Sequence, residues 1–392
     1  MIPYGKHHID EEDIAAVVDV LRNKPITQGP TVDLFERAVA DYVGAKHGVA
    51  VSSGTAALHL AALAAGLGPG TTLITSPITF VASANAGLYA GGKVTFADID
   101  CETINMSPTA LDKALNSNPH TKVVVPVHFG GLTCEMPTIK ALADKAGAAV
   151  IEDAAHALGA SYPDGRRVGC CAYSLMTIFS FHPVKAIAAG EGGMIMTNDD
   201  AVYRRLLRLR SHGINKLDDP FQINDQAYTE GVKNPWYYEM QELGFHYRIT
   251  DIQCALGISQ LNKLDNFIVR RQMLARRYDD AFRNHEFCFP AQSIGRDRSA
   301  HHLYVLKIKF DALSVSRSTF MANLKSEGIG SQVHYIPVPL HPVYRNLGAD
   351  PAKSPNSLHY YDEALSIPLF VDLSDTDQQH VIQTIGNLVR PK

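Results

Sequence analysis

The feature of this 392-residue sequence that most restricts its fold is an alternation of short apolar runs with segments of helix length. The apolar runs are "GVAVSS", "TLITS", "KVTFADI", "KVVVPV", "AAVIED", "SLMTIFSF" and "GGMIMTN". Helix-length segments such as residues 55–66 and 135–147 separate successive runs. Strands that alternate with helices form right-handed βαβ crossovers and a parallel sheet covered on both faces. The sequence therefore predicts an α/β fold with a mostly parallel central sheet.

The regions on either side of this alternation have other patterns. Amphipathic helices are predicted after Asp10 and over residues 31–43, before the first strand. Residues 213–247 are polar, contain Trp236 and are too long for a simple connection, which indicates a functional or interfacial loop. A long helical run over residues 250–284 and the later strand "LYVLKIKF" indicate a second unit. We predict a large α/β domain over residues 1–250 and a smaller C-terminal α+β domain over residues 251–392.

The composition of the chain indicates which kind of molecule the protein binds and in which cellular compartment it works. The net charge of −4 shows no basic excess of the kind that binds nucleic acid, so a small-molecule substrate is expected. We find no signal-peptide pattern and no membrane-spanning apolar run, which predicts a cytoplasmic protein with no membrane partner. The six cysteines form no CxxC pair and the histidines form no HExxH pair, and paired histidines at 7–8 and 301–302 are more typical of a surface. No metal site is predicted.

Two polar features follow predicted strands, where parallel sheets bind ligands. "SSGTAALHLA" opens a helix at Gly54 and Thr55, so its free N–H groups and positive helix end can hold a phosphate, although such a start is more often only a cap. "VIEDAAHALG" ends a strand at Glu152 and Asp153 and places His156 three residues later. An isolated aspartate there is more often a helix cap, but a buried carboxylate needs a cation or hydrogen-bond donors.

The third feature is a lysine in an apolar setting. "FSFHPVKAIAAGEGG" places Lys185 between Phe179, Phe181 and Ile187, where a solvated surface ammonium would have few polar neighbours. A partly desolvated lysine has a lowered pKa and can form a Schiff base. Together with a carboxylate for a pyridinium nitrogen and a helix start for a phosphate, it matches the three binding needs of pyridoxal 5'-phosphate. Phe80 is a candidate to stack on the pyridine ring, although an aromatic residue at a helix start is more often core.

Two segments resemble nucleotide-binding motifs, but neither matches the full pattern of its motif. "GLYAGGKV" has P-loop spacing but ends in Val94, where Ser or Thr must reach magnesium, and no strand precedes it. "GLGPG" lacks the third glycine of a dinucleotide fingerprint and follows a helix. An ordinary dinucleotide-dependent dehydrogenase is therefore disfavoured.

At this point the motifs resemble a known family over nearly the whole chain. "SSGTAALHLA", "TSPITFVASAN", "IEDAAHALGA", "FSFHPVKAIAAGEGGM", "RSHGI" and "LGFHYRITDIQCALGISQL" are similar, in order, to the DegT/DnrJ/EryC1/StrS sugar aminotransferases. Within that family, "WYYEMQELGFHYRITDIQ" and "QVHYIPVPLHPVY" most resemble the transaminases of pseudaminic acid biosynthesis. The resemblance implies a fold-type I, aspartate aminotransferase-like fold and a homodimer with shared active sites.

The resemblance also implies roles for individual residues. Lys185 would be the cofactor-bound, catalytic lysine, Asp153 the partner of the pyridine nitrogen, and His156 a neighbour of the ring. The phosphate would be bound by the backbone of Thr55 and Ala56 and by the Ser180 hydroxyl.

One phosphate contact departs from the family pattern. His246 stands where the family usually has an asparagine that reaches the phosphate of the other subunit's cofactor. A histidine can still donate one hydrogen bond, so the contact is expected in altered form.

A further set of positions matches those that contact the nucleotide sugar in the pathway enzymes. They are Tyr4, Lys24, Pro25, Ile26, Thr27, Gln332, Val333, His334 and Tyr335.

The implied reaction is a transamination. L-Glutamate would convert the cofactor to pyridoxamine 5'-phosphate, which would then aminate the 4-ketone of a UDP-linked 6-deoxy sugar, with Lys185 moving the proton in both halves. A transaminase of another nucleotide-linked 4-keto or 3-keto sugar is the alternative. A dehydratase of the same family is disfavoured because those enzymes lack this lysine, and a catalytically silent sugar-binding member because both Lys185 and Asp153 are present.

Overall fold

A computed structural model of the chain describes residues 1–215 and 220–391. In these ranges the α-helices are α1 (Glu11–Asn23), α2 (Pro30–Val43), α3 (Gly54–Ala64), α4 (Ala82–Tyr89), α5 (Pro108–Ser117), α6 (Met136–Ala146), α7 (Asp200–Arg210), α8 (Asn224–Ala227), α9 (Asp251–Leu261), α10 (Leu264–Phe282), α11 (Arg317–Ser326), α12 (Pro342–Asn346), α13 (Pro355–Glu363) and α14 (Asp375–Leu388). The strands are β1 (His47–Val51), β2 (Thr72–Thr75), β3 (Lys93–Phe96), β4 (Thr121–Val125), β5 (Ala149–Asp153), β6 (Met176–Ser180), β7 (Gly193–Thr197), β8 (Ile214–Asn215), β9 (Tyr228–Thr229), β10 (Val232–Lys233), β11 (Glu239–Met240), β12 (Cys288–Pro290), β13 (Tyr304–Ile308) and β14 (Ala364–Ile367).

Strands at the seven predicted apolar runs form one central sheet. Among the described residues its order is β1-β7-β6-β5-β4-β2-β3. β7 runs antiparallel to β1 and to β6, and the other neighbouring pairs are parallel. The prediction of a mostly parallel sheet is confirmed, with β7 as the antiparallel exception. Because β1, β5 and β6 point the same way, their carboxyl ends meet at one edge of the sheet.

The sheet is buried on both faces. Side chains on both faces of the central strands, such as Leu73, Ile74, Val123 and Val124, are fully buried. A strand covered on both faces needs a continuous apolar run instead of alternation with polar residues. This explains why the strands were recognisable in the sequence.

The predicted helical run over residues 250–284 is two helices, which corrects the sequence interpretation. Thr250 begins α9 with a capping box, α9 ends at Leu261, and α10 starts at Leu264. In the short break, the Lys263 ammonium contacts Asp10 and lies 3.1 Å from Asp13 Oδ1. Asp13 is fully buried, and a buried carboxylate is costly unless a cation or hydrogen-bond donors pair with it.

The C-terminal part builds a separate antiparallel sheet. Its described strands have the order β12-β13-β14, and they pack with α10, α11 and α14 around an apolar cluster that includes Tyr304, Leu306 and Phe320. The division of the chain into residues 1–250 and 251–392 stays a prediction. None of the helices in the described ranges has the length and apolar character needed to cross a membrane.

A buried polar network joins β5 to its neighbours. The Glu152 carboxylate is fully buried and accepts hydrogen bonds from His128 Nε2 at 2.8 Å, Tyr162 Oη at 2.6 Å, Ser174 Oγ at 2.5 Å and Thr177 Oγ1 at 3.1 Å. Burial alone would raise the pKa of Glu152, but the donors around it outweigh burial and lower the pKa. The network therefore holds a charged carboxylate next to Asp153.

Glu152→Gln is expected to lower the free energy of unfolding by about 3–5 kcal/mol, because a glutamine turns an amide donor toward four groups that themselves donate. Urea unfolding of the cofactor-free protein, followed by circular dichroism, measures the change. Glu286→Gln, an exposed position, is the control and should change the value by less than about 0.5 kcal/mol. Equal values for the two variants would show that the network adds no stability.

Candidate active site

A cavity of about 430 Å³ lies at the carboxyl edge of the central sheet. This volume falls within the range of small-molecule sites, roughly 300–1,000 Å³. The predicted site residues that line it are Tyr4, Thr55, Phe80, Asp153, His156, Ser180, Lys185, His334 and Tyr335. The structure thus brings residues from β1–α3, α4, β5, β6 and the C-terminal part to one place.

The start of α3 forms one wall, packed directly on the end of β6. The Ser53 hydroxyl caps the helix by accepting the Ala56 N–H at 3.1 Å. A Cβ on Gly54 would lie 2.9 Å from Ser180 Cβ, and a Cβ on Gly193 would lie 2.4 Å from the Ser53 carbonyl oxygen. Only glycine permits this close packing, which sets Thr55 and Ser180 side by side on the cavity wall.

Asp153 ends β5 with its carboxylate held by two donors. The Ser83 hydroxyl donates to Oδ2 at 2.5 Å, and the Ala155 N–H donates to Oδ1 at 3.1 Å. Thr79 Oγ1 lies 2.7 Å from the Ser83 hydroxyl oxygen and completes the support. Asp153 is 5% exposed, so these two hydrogen bonds hold the carboxyl group in a fixed position in the cavity wall.

Lys185 lies in a tight turn after β6. The turn is closed by the Lys185 N–H, which donates to the His182 carbonyl at 2.8 Å, and the neighbouring Phe181 and Ile187 are buried. Burial lowers the pKa of Lys185 to about 8, and the negative charge of Asp153 opposes that shift. The side chain therefore provides an amine that is partly unprotonated near neutral pH.

His156 has a defined tautomer. Its Nδ1 accepts the Gly130 N–H at 3.3 Å, so the ring proton of the neutral imidazole resides on Nε2, which lies 3.1 Å from Tyr335 Oη. Burial, and then the charge of Lys185, lower the pKa of His156 well below its usual value. The neutral ring therefore uses both of its nitrogens, because Nδ1 accepts the Gly130 N–H and Nε2–H donates to the Tyr335 hydroxyl at the cavity wall.

These residues fit pyridoxal phosphate. A buried carboxylate suits a protonated pyridine nitrogen, a lysine with a lowered pKa suits the aldehyde carbon, and the glycine-lined start of α3 beside Ser180 suits a phosphate. Phe80 lines the cavity wall and is 58% exposed, so its aromatic ring is accessible to a ligand.

Other predicted site residues lie outside this cavity. The Ala56 N–H is taken by the Ser53 cap. Residues 24–27 lie beside the start of α9, where Thr27 pairs with Thr250 and the Ile26 carbonyl accepts the Asp251 N–H.

The remaining positions also lie away from the cavity wall. Gln332 pairs with Ser366, and Val333 follows it in the chain. His246 pairs with Ser211, and its ring centre is 5.4 Å from that of His212. The ligand contacts predicted for residues 24–27, Gln332, Val333 and His246 stay predictions.

The structure adds cavity residues that the sequence interpretation missed. Ser83 could have been found from its position four residues after Thr79 at a strand end. His302 also lines the cavity, and His301 and His302 are each 6% exposed, so the surface interpretation of this pair is wrong. The physical reason is that the pair leads directly into β13, whose apolar side chains draw the backbone into the protein interior.

The rate at which the cofactor-free protein takes up pyridoxal phosphate is expected to rise with pH around a midpoint near 8. The unprotonated amine is the nucleophile, so the rate increases as pH passes through the Lys185 pKa. Absorbance spectroscopy follows the uptake, with Nα-acetyl-lysine as a reference of ordinary pKa. Asp153→Asn should move the midpoint downward, because the Asp153 charge raises the Lys185 pKa. A midpoint near that of the reference would contradict the proposed environment.

Comparison with known proteins gives consistent matches over the whole chain. The model of the DegT/DnrJ/EryC1/StrS aminotransferase family matches residues 7–386. The chain is 40% identical to the spore coat polysaccharide biosynthesis protein SpsC of Bacillus subtilis, covering 99% of this chain and 97% of that protein. It is 36% identical to the UDP-4-amino-4,6-dideoxy-N-acetyl-beta-L-altrosamine transaminase of Campylobacter jejuni, covering 99% and 98% of the two chains.

A solved structure agrees with these sequence matches. PseC of Helicobacter pylori, an aminotransferase involved in the biosynthesis of pseudaminic acid, superposes with a TM-score of 0.88 at 30% identity. The match covers 99% of both chains.

Proposed function

Because the chain belongs to the DegT/DnrJ/EryC1/StrS aminotransferase family and is a pyridoxal phosphate-dependent sugar aminotransferase, we propose that it aminates the 4-keto group of a UDP-linked 4-keto-6-deoxy sugar. The proposed acceptor is UDP-2-acetamido-2,6-dideoxy-β-L-arabino-hex-4-ulose, the donor is L-glutamate, and the pathway is pseudaminic acid biosynthesis. Similarity to the Campylobacter transaminase and to PseC supports this substrate class. The observation that carries the chemistry is the placement of Lys185 and Asp153 in one cavity.

Each residue has a separate task in this proposal. When bound, pyridoxal phosphate supplies an electron sink for the carbon that exchanges its proton. Asp153, held by Ser83 and the Ala155 N–H, keeps the pyridine nitrogen protonated. The Lys185 amine, with a pKa of about 8, removes the proton from the donor and returns a proton to the product. His156, a cavity residue held by the Gly130 N–H and the Tyr335 hydroxyl, would lie beside the ring.

A homodimer with shared active sites is part of the proposal. The segment 220–247 exposes large apolar side chains, including Val232, Trp236, Met240 and Leu243, which are 66–77% exposed in the single chain. Contiguous exposed apolar surface is typical of an interface. His246, at the end of this segment, would then reach the phosphate bound by the partner subunit. A cytoplasmic location, which is consistent with a biosynthetic enzyme, is also part of the proposal.

A different nucleotide-linked keto sugar is the second candidate substrate. The observation that favours it is the 40% identity to SpsC, a protein of spore coat polysaccharide biosynthesis, against 36% to the Campylobacter transaminase. This alternative retains every role given to Lys185 and Asp153, and it changes only the sugar.

The test is to incubate the purified, pyridoxal phosphate-loaded protein with L-glutamate and either the UDP-linked 4-keto-6-deoxy-L-sugar or its D-configured isomer. Products are assigned by NMR. Amination of the L-sugar alone supports the proposed substrate. Amination of the D-sugar alone supports the second candidate, a different nucleotide-linked keto sugar. If neither sugar is aminated, the assignment of a UDP-linked 4-keto sugar as substrate is contradicted.

A further inference from the structure

His302 is a cavity residue whose ring nitrogens make no hydrogen bond to the described residues. Its side chain lines the cavity and is 6% exposed, yet Nδ1 is buried without a hydrogen-bond partner among the described residues. Because Nδ1 is fully enclosed, Nε2 is the ring nitrogen that a molecule in the cavity can reach.

The backbone fixes the position of this imidazole. The His302 N–H donates to the Gly130 carbonyl at 2.9 Å. Arg271 is 3% exposed, and its guanidinium donates to the carbonyls of His301, His302 and Leu369 at 3.3, 3.4 and 3.0 Å. The His302 ring packs against His156 with 4.3 Å between centres. The ring is thus held without using either of its nitrogens.

The tautomer directs one donor toward the cavity. Because an unpaired buried N–H is rarer than an unpaired acceptor, the proton of the neutral ring resides on Nε2 and leaves the enclosed Nδ1 unprotonated. Burial, and then the neighbouring His156, Lys185 and Arg271, lower the pKa of His302 well below its usual value. Nε2–H is therefore the group available to a molecule in the cavity.

The charged residues that line the cavity explain why a neutral hydrogen-bond donor suits ligands of different charge. Among the described residues that line it there is no arginine, and Lys185 is occupied by its role in catalysis. A transaminase binds an anionic amino acid and an uncharged sugar ring in turn at the same place. An arginine there would be left as a desolvated, unpaired charge whenever the sugar is bound, whereas a neutral imidazole loses only one hydrogen bond.

We infer that the imidazole of His302 binds the α-carboxylate of the amino donor by a hydrogen bond from Nε2. This inference rests on the proposed function, because it names a contact for its donor. His302 is then a specificity residue for the first half of the reaction, in which the donor amine is transferred to the cofactor.

The test uses two variants of His302 and the donor alone. His302→Phe retains a ring against His156 and removes the N–H, and His302→Gln places an amide N–H near the position of Nε2. Bleaching of the visible band of the pyridoxal phosphate-loaded protein by L-glutamate, without sugar, gives an apparent dissociation constant for the donor. We expect this constant to rise about 10-fold or more in His302→Phe, as for the loss of a hydrogen bond to a charged group, and to recover substantially in His302→Gln. His359→Phe, an exposed position, is the matched control.

Analogues of the donor identify which carboxylate is bound. The α-amide of glutamate lacks the α-carboxylate, and glutamine lacks the γ-carboxylate. In the unmodified protein the α-amide should bind more weakly than glutamate, and His302→Phe should reduce that difference to less than about 3-fold while leaving the discrimination against glutamine unchanged. Loss of discrimination against glutamine instead would overturn the α-carboxylate assignment.

A binding measurement on the cofactor-free protein separates this inference from the proposed function. With ¹⁵N-histidine labelling, 2-oxoglutarate should shift one imidazole signal that is missing in His302→Phe. If glutamate fails to bleach the unmodified protein but this signal shifts, the proposed donor is wrong and the carboxylate contact stands. If glutamate bleaches the unmodified protein and His302→Phe with equal affinity, the proposed function stands and the inference is overturned.

Discussion

Lys185→Ala is expected to reduce turnover by about 10³-fold or more, while the protein still folds. The side chain is the amine that the cavity places beside Asp153, and loss of a general acid–base group alone typically costs about 10²–10⁴-fold. Lys185→Arg should be inactive to a similar degree, because a guanidinium keeps its proton at neutral pH and cannot act as a base. The rate of 2-oxoglutarate formation from glutamate and the keto sugar measures the effect.

The controls for this prediction test folding and specificity. Circular dichroism and the melting temperature of the Lys185 variants should match those of the unmodified protein within a few degrees, roughly the shift that a 1–2 kcal/mol change produces. Lys325→Ala, at an exposed position, should keep full activity. Appreciable turnover in a folded Lys185→Ala protein would refute the catalytic assignment.

Asp153→Asn is expected to lower turnover by about 10²–10³-fold, comparable to the loss of a preorganised electrostatic contact in other active sites. An asparagine keeps the shape and can still accept the hydrogen bond from the Ala155 N–H through its one amide oxygen, but it cannot hold a pyridine nitrogen protonated. Steady-state kinetics measures the rate, and the absorbance spectrum of the loaded protein should change as well, because the protonation of the ring changes.

Ser83→Ala provides the graded comparison. It leaves the Asp153 carboxylate in place but removes the 2.5 Å hydrogen bond that orients it, so a loss of about tenfold is expected. If Asp153→Asn affected turnover less than Ser83→Ala, the charge of Asp153 would not be the property that the reaction uses.

Local sequence patterns were sufficient for the central sheet and for the core of the candidate site. The apolar runs were recognisable because the strands are covered on both faces, and Leu73, Ile74 and Val124 are fully buried as that requires. Lys185 and Asp153 could be placed together before any coordinates, because parallel strands collect their carboxyl ends at one edge.

Other features depend on contacts between distant parts of the chain. In the break before α10, Lys263 pairs with Asp10 and Asp13, about 250 residues earlier, which no local helical pattern shows. The antiparallel direction of β7 depends on its neighbours in the sheet.

Local sequence patterns indicate which side chains take part in the chemistry, whereas the protonation and the partners of those side chains depend on the folded chain. The pattern around Lys185 indicated a desolvated amine, whereas its pKa of about 8 results from burial by the folded chain, opposed by the carboxylate that β5 brings near. The pair at 301–302 looked like surface, whereas in the structure the Gly130 carbonyl accepts the His302 N–H and the Arg271 guanidinium donates to the carbonyls of both buried histidines. The reason is physical: burial and electrostatic environment are sums over neighbours from the whole chain, and residue spacing reports only on the nearest of them.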